Sequence, residues 1–271
     1  MWVRVSMVLG SRMNRLIYKK VNWIMSFASS AIVHRLSNWQ RLILNNCARL
    51  AHAALPQHCL LCHASAPDRA LCADCETELP WLPAAHCPQC ALPTHASQLC
   101  GACLAHPPRF DAVSAAFIYG WPLAPLIHHY KYAGNLALAR LFAHALASRL
   151  AGAVDLIIPM PLAPQRLRER GFNQALEIAH GVSRATGIAL ATSACRRVRE
   201  SAPQATLPWK ERAKNIRGAF VCDIDLTGKR VAVIDDVLTT GATLNELARN
   251  LRKAGAIEIR GWMVARTLKQ D

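Results

Sequence analysis

Acid is what this sequence is short of. Its 271 residues carry 17 Asp and Glu against 32 Lys and Arg, a net charge of +15, and no acidic side chain precedes Asp68. That imbalance points to anionic partners, whether phosphates, nucleic acid or a membrane surface, without choosing among them. Long apolar runs are also missing. No stretch of about 18 uncharged apolar residues occurs, which excludes a membrane-spanning helix. Apolar residues themselves are plentiful, at 52% of the chain. Wholesale disorder is therefore excluded, and the length allows one full domain of about 150–200 residues plus a small module.

The charge is unevenly spread. Residues 1–55 hold eight basic side chains and no acid, residues 56–104 set Arg69 against Asp68, Asp74, Glu76 and Glu78, and the remainder carries a net +10. The basic opening segment resembles a targeting sequence only superficially. Its apolar run Val5–Leu9 is short, and Arg12, Arg15, Lys19 and Lys20 break up the residues after it. In-frame Met7, Met13 and Met25 suggest an over-extended start or a floppy basic extension over 1–55. A weak amphipathic surface helix around 33–50 is the alternative.

The cysteines keep a rhythm. Cys59 and Cys62, Cys72 and Cys75, Cys87 and Cys90, Cys100 and Cys103 form four C-x-x-C pairs, separated by gaps of 9, 11 and 9 residues. One such turn aims two sulfurs at one centre, and two turns complete a tetrahedral thiolate site for Zn²⁺. Eight sulfurs make two structural sites. The repeated gap suggests a duplicated ribbon over 56–106, with sequential pairing expected and nested pairing left open. All-thiolate sites leave no position for water, so they are structural rather than catalytic. With few large apolar groups in this stretch, metal must supply much of its folding energy. His58, His63, His86 and His95 flank the knuckles as bystanders, one of which could replace a cysteine. Cys47, Cys195 and Cys222 fall outside the rhythm and read as isolated, inert thiols. Thiolate zinc sites suit a reducing compartment, and the expected location is the cytoplasm.

From residue 107 onward, strand and helix patterns alternate. Strands are expected at 112–119, 154–158, 231–234 and 257–264, and helices at 123–132, 135–150, 172–186 and 243–254. This is an α/β pattern, a parallel sheet wrapped on both faces, and such sheets bind ligands outside the carboxyl ends of their strands. There the run Val231-Ala-Val-Ile-Asp235-Asp236-Val-Leu-Thr239-Thr240-Gly241-Ala242-Thr243 stands out. A buried strand delivers two carboxylates, and a hydroxyl- and glycine-rich loop then opens a helix. Free amides and the positive dipole end favour a phosphate there. Paired carboxylates suit a sugar diol or a Mg²⁺-bound sugar phosphate. An ordinary strand–turn–helix with Thr243 as N-cap explains the loop but not two adjacent buried acids.

The run resembles the phosphoribosyl pyrophosphate signature of the type I phosphoribosyltransferases. The resemblance implies that Asp235 and Asp236 face the ribose hydroxyls, and that Thr239, Thr240, Gly241, Ala242 and Thr243 hold the 5′-phosphate. A cysteine double ribbon ahead of such a domain resembles the ComF family, associated with competence for DNA uptake. Tyr130-Lys131-Tyr132-Ala133-Gly134, Pro159-Met160-Pro161-Leu162, Arg170-Gly171-Phe172-Asn173-Gln174, and Arg197, Gln204, Arg212, Asn215 and Phe220 resemble further elements of that family. The match spans about 58–267.

A type I phosphoribosyltransferase-like sheet over 107–271 follows from the resemblance, with Pro161, Arg166, Arg170 and Arg212 on the pyrophosphate side. Guanidinium forks suit that polyanion, although Arg166 and Arg168 read equally as a solvated basic face. Lys131 lies among apolar residues as a phosphate ligand or a snorkelling surface lysine. The polar insert 199–218, with Lys210 and Arg212, has the length of a functional lid or a surface loop. Two functions are implied. One is an enzyme that binds Mg²⁺ and phosphoribosyl pyrophosphate and transfers the phosphoribosyl group, with Asp235, Asp236, Arg170 and Lys131 as its catalytic set. The other is a non-catalytic ribose-phosphate sensor that engages single-stranded DNA or uptake machinery.

Overall fold

Four parallel strands form the frame: β1 (Ala112–Ile118), β2 (Leu156–Pro159), β5 (Arg230–Leu238) and β6 (Glu258–Arg266), in the order β1-β6-β5-β2. The short strands β3 (Cys195–Arg197) and β4 (Phe220–Cys222) pair antiparallel outside that sheet. The computed structural model describes residues 58–199 and 216–268. Lys210 and Arg212, expected on the lid, and the basic segment 1–55 lie outside the described residues.

Alternation along the central strands divides the interior in two. Ala232 and Ile234 of β5 and Trp262 and Val264 of β6 face one core, while Val231, Val233, Ile259 and Met263 face the other. Helices α3 (Leu123–Ala133), α4 (Ala137–Ala147) and α6 (Gln174–Thr186) cover the first face. Helix α7 (Ala242–Lys253) covers the second, together with β3 and β4. Helices α4 and α6 pack tightly because Gly181 has no side chain; a Cβ there would stand 2.4 Å from the Ala143 Cβ. Both faces are covered, as a parallel sheet requires.

The cysteine ribbon is built into this frame. It carries two short helices, α1 (Ala73–Thr77) and α2 (Gly101–Ala105), each opening just after a cluster cysteine. Its first half sends Cys59, Ala66, Leu71 and Leu79 into the first core, and its second half sends Leu82 and Ala91 into the second. Between the halves, Trp81 pairs antiparallel with Phe117. The Leu82 amide donates to the Ala116 carbonyl at 2.9 Å, and the Ile118 amide to the Pro80 carbonyl at 2.7 Å. The ribbon thus straddles and satisfies the free edge of β1. On the opposite edge, Ile157 pairs with the 189–191 segment.

Three sequence expectations need correction. β5 does not stop at residue 234 but runs through Leu238, because Asp235 and Val237 stay in register with Met263 and Ala265 of β6. The arginine-rich segment after Pro161, left without an element among the expected helices, is itself a helix, α5 (Pro164–Arg170), with proline in its first turn and left-handed Gly171 closing it. Cys195 and Cys222 are not isolated. Antiparallel register sets them opposite one another, where they form a disulfide.

Candidate functional site

The carboxyl ends of β1, β2, β5 and β6 open into one cleft of about 500 Å³. That is the size of a small-molecule site and its location in an open parallel sheet. Lys131, Pro161, Arg166, Asp235, Asp236, Thr239, Gly241 and Thr243, all expected at the site, line it together. Arg170, Thr240 and Ala242 adjoin the cleft in sequence without lining it.

Asp235 and Asp236 lie in the last part of β5, where strand pairing with β6 holds them rigidly. Asp236 is 4% exposed, and its Oδ2 meets the Lys131 Nζ at 2.8 Å. The Asp236 amide donates to the Asp235 Oδ1 at 2.9 Å. Burial raises the Asp235 carboxyl well above the usual carboxylate range, the Asp236 charge pushes the same way, and Lys131 opposes both. For Lys131, burial alone would favour loss of the proton. The Asp236 and Asp235 charges outweigh it and hold the ammonium above its ordinary range. Two carboxylates and one ammonium stand together mostly withdrawn from water, with Asp235 pushed up to about 7, so the group changes protonation near neutrality.

The loop after β5 closes on Gly241, which caps α7 in the left-handed region at φ 77°. Gly241 is the N-cap and Thr243 is not: the Thr240 Oγ1 accepts the Ala242 amide at 3.0 Å, and the helix opens two residues earlier. The result is a helix N-terminus at the cleft, lined by Gly241 and Thr243, with the Ala242 amide already taken by the Thr240 hydroxyl. Phe110 supports it from below, its Cζ 3.6 Å from where a Gly241 Cβ would lie.

The pyrophosphate-side residues divide. Arg166 lines the cleft from α5. Arg170, at the end of that helix, is turned to the Gln174 Oε1 and lies over the Tyr132 ring at 5.5 Å. The Arg170–Gln174 stretch is therefore largely a brace. Asn173 caps α6 by accepting the Ala175 amide at 3.0 Å, while its Nδ2 donates to the Met160 carbonyl at 3.1 Å and so fixes the Pro161 loop. The Tyr130 hydroxyl donates to the Gln174 carbonyl at 2.8 Å.

The cleft also holds residues not placed at the site from sequence, Tyr132 and Arg197 having been named only within family-like elements. Tyr119, His128 and Tyr132 line it, with the His128 and Tyr132 rings 4.5 Å apart. Arg197 also lines it, reaching in from β3. A helical spacing of His128 and Tyr132 on α3 was the available signal. The largest omission is Arg266, a buried guanidinium under the loop between β5 and α7.

Away from the cleft, Cys59, Cys62, Cys72 and Cys75 form one cluster and Cys87, Cys90, Cys100 and Cys103 a second, the ligand atoms of each within 4.8 Å of one another. Pairing is sequential, and among the described residues no histidine joins either cluster. The sulfurs of Cys62 and Cys72 are 3.6 Å apart and those of Cys90 and Cys100 3.5 Å, close to the edge of a tetrahedron around Zn²⁺ with sulfurs at about 2.3 Å. The first knuckle of each cluster closes on a left-handed residue, His63 or Ala91, whose amide donates back to the Cys59 or Cys87 carbonyl. Both donor sets fit structural zinc.

A double zinc ribbon domain model matches residues 50–104. The chain is 35% identical over 191 residues to the DNA utilization protein YhgH of Escherichia coli (strain K12), covering 67% of this chain and 84% of that protein. It is 33% identical over 208 residues to Competence protein F of Haemophilus influenzae, covering 72% and 90%. Among solved structures it is similar to a purine phosphoribosyltransferase from Pyrococcus horikoshii, at 21% identity and a TM-score of 0.28, covering 50% of this chain and 83% of that one. No described helix is long and apolar enough to cross a membrane. On the extent and identity of its match to the competence and DNA-utilization proteins, this chain belongs to the ComF family.

Proposed function

We propose that the cleft binds a ribose 5-phosphate carrying an anionic 1-substituent, with Mg-phosphoribosyl pyrophosphate as the ligand it suits best. One observation carries this reading: Asp235 and Asp236, neutralised in part by Lys131, stand directly before a glycine-opened helix N-terminus in the same cleft. The carboxylates suit the ribose hydroxyls, and the amides and hydroxyls of Thr239–Thr243 suit the 5′-phosphate. Arg166 and the Pro161 loop lie on the side left for pyrophosphate. Mg²⁺ takes hard oxygen donors, which the two acids and the pyrophosphate provide; it would supply neutralisation of the leaving charge. In a transfer, the C1–O bond to pyrophosphate breaks as an acceptor nucleophile bonds to C1, and the chain's part is to position and to balance charge. Calorimetric titration of phosphoribosyl pyrophosphate with Mg²⁺ tests the reading. Wild type should bind and Asp235→Asn/Asp236→Asn should not; equal heats from both remove it.

A second reading, single-stranded nucleic acid at the same cleft, is favoured by the rim. Tyr132 is 68% exposed with the Arg170 guanidinium over its ring, Arg166 and Arg197 line the same cleft, and Trp121, two residues after the cleft residue Tyr119, is 80% exposed. Exposed rings among guanidiniums form the stacking surface that single strands use, and the relatives' names point to DNA. Binding of a single-stranded oligonucleotide should then weaken steeply with salt and in Trp121→Ala/Tyr132→Ala; a flat salt response excludes phosphate contacts. The eight cysteines of the two clusters suit a reducing compartment and the Cys195–Cys222 disulfide an oxidising one; on the weight of the eight thiols we place the protein in the cytoplasm.

A further inference from the structure

Arg266 ends β6 beneath the phosphate loop and is 4% exposed. Among the described residues no carboxylate pairs with it. Its fork is spent on carbonyls. Nε donates to the Cys90 carbonyl at 2.7 Å. Nη1 donates to Leu238 at 2.9 Å, to Thr267 at 2.9 Å and to Thr239. Cys90 belongs to the second cysteine cluster, and Leu238 and Thr239 lead into the phosphate loop. One side chain therefore joins the two. A buried guanidinium without counter-charge is costly. Burial pushes its pKa below the ordinary guanidinium range, and the sulfurs of Cys90, Cys100 and Cys103 oppose that shift; four thiolates around one Zn²⁺ would leave a net negative centre to face it. A second contact runs in parallel: Phe110 packs in one apolar cluster with Ala91, the residue after Cys90, and with Leu238, while its ring supports Gly241. The knuckle itself is pinned to the sheet, the Val113 amide donating to the Pro88 carbonyl at 3.1 Å. The first cluster meets the sheet through the other core, with Cys59 in the apolar cluster that Val237 packs against.

We infer that Arg266 is a positioning residue that hangs the phosphate loop on the second cysteine cluster, so that zinc held by Cys87, Cys90, Cys100 and Cys103 and phosphate bound by Thr239–Thr243 strengthen one another. The phosphate half of this rests on the ribose-phosphate reading above; the mechanical half does not. Linkage requires the effect to be mutual.

Two measurements on the full chain separate the halves. The first is amide hydrogen exchange of residues 239–243 without ligand. Cys100→Ser, which opens the second cluster, and Arg266→Lys, which keeps the charge but loses the fork, should each speed exchange there about five-fold or more. Cys62→Ser, which opens the first cluster, should not. Protection of Val231–Ile234 gauges the fold. Should Cys100→Ser lose that protection as well, Arg266→Lys alone decides. Wild-type exchange of the loop in Arg266→Lys overturns the inference. The second is zinc release to a chromophoric chelator, with and without phosphoribosyl pyrophosphate and Mg²⁺. The ligand should slow release from the second cluster and leave the first unchanged, and Arg266→Lys should abolish that protection. Equal protection of both clusters, or protection that survives Arg266→Lys, overturns the coupling. If calorimetry finds no ligand binding by wild type, the ribose-phosphate reading fails and the exchange result still decides the clamp.

Discussion

At the scale of single residues, the cleft's chemistry turns on three side chains whose charges do not balance. Burial and the neighbouring Asp236 charge hold a proton on Asp235 at a pH where an ordinary carboxylate is ionised. A ligand gripped by that carboxylate must lose affinity as pH falls from about 8 to about 6. Asp235→Asn should bind weakly but with a flat pH profile, and a profile as steep as wild type would show that another group titrates. Lys131→Met removes the one opposing charge and should move the wild-type midpoint upward. The stability sign is opposite to that of an exposed salt-bridged acid. Because the folded state raises the Asp235 pKa, its contribution is full below the unfolded pKa and is lost as pH rises through the folded one. Asp235→Asn should therefore gain stability relative to wild type above neutrality, measured by urea unfolding. The acids and Lys131 were legible individually, the acids from their place after a buried strand. Their ion pair was not, since it joins residues far apart in sequence that only the α3–β5 packing brings together. Arg266 was illegible for the same reason: an arginine at a strand end looks like any surface cation until the ribbon is laid across it.

At the scale of elements, the loop between β5 and α7 depends on one backbone conformation. Gly241 sits at φ 77°, where a Cβ meets only ordinary contacts with Phe110. Gly241→Ala should therefore cost about 1–2 kcal/mol through the left-handed backbone alone. It should also weaken phosphate binding by tilting the first amides of α7. Unchanged stability would mean that the loop relaxes away from this conformation. Asn173 makes a comparable local test. As the N-cap of α6 it is worth about 1 kcal/mol to that helix, and through Met160 it also holds the Pro161 loop. Asn173→Ala should lose both, so denaturation and ligand titration should shift together; Asn173→Ser, which keeps the cap but not the Met160 bond, should recover only stability. Helix limits were legible wherever apolar spacing was strong, as at Leu123–Ala133 and Gln174–Thr186. α5 was hidden because its seven residues carry three arginines and no buried side chain, so periodicity had nothing to report. Its proline start and glycine stop were present, and they were the better signal. β5 ran past its expected end because hydrogen bonds to β6 outweigh the preference of Asp against strands.

At the scale of the whole molecule, the ribbon is the edge of the α/β sheet rather than an appendage to it. The cysteine rhythm alone identified a self-contained zinc module, and composition shifts sharply near residue 106. Neither could reveal that Cys59, Leu71 and Leu79 complete one core, that Leu82 and Ala91 complete the other, or that Pro80–Leu82 satisfies the backbone of β1. Those contacts are long-range and use ordinary leucines and alanines. They have a thermodynamic consequence. A ribbon of this composition cannot hold its shape without metal, so emptying both clusters strips apolar cover from both faces and exposes the edge of β1 to water. Removal of zinc by a strong chelator should therefore lower the melting temperature of the sheet itself and keep unfolding a single cooperative transition, followed by near-ultraviolet dichroism of Trp262 at its centre. Metal analysis of the intact protein should find about two zinc per chain, one for each four-cysteine set. Two resolved transitions, the sheet melting at its zinc-loaded temperature after the ribbon has gone, would mean that the contacts across β1 contribute little and that the two parts fold independently. Partial loading sharpens the test: Cys62→Ser should weaken the face carrying α3, α4 and α6, and Cys100→Ser the face carrying α7, so hydrogen exchange should rise on opposite sides of the same sheet.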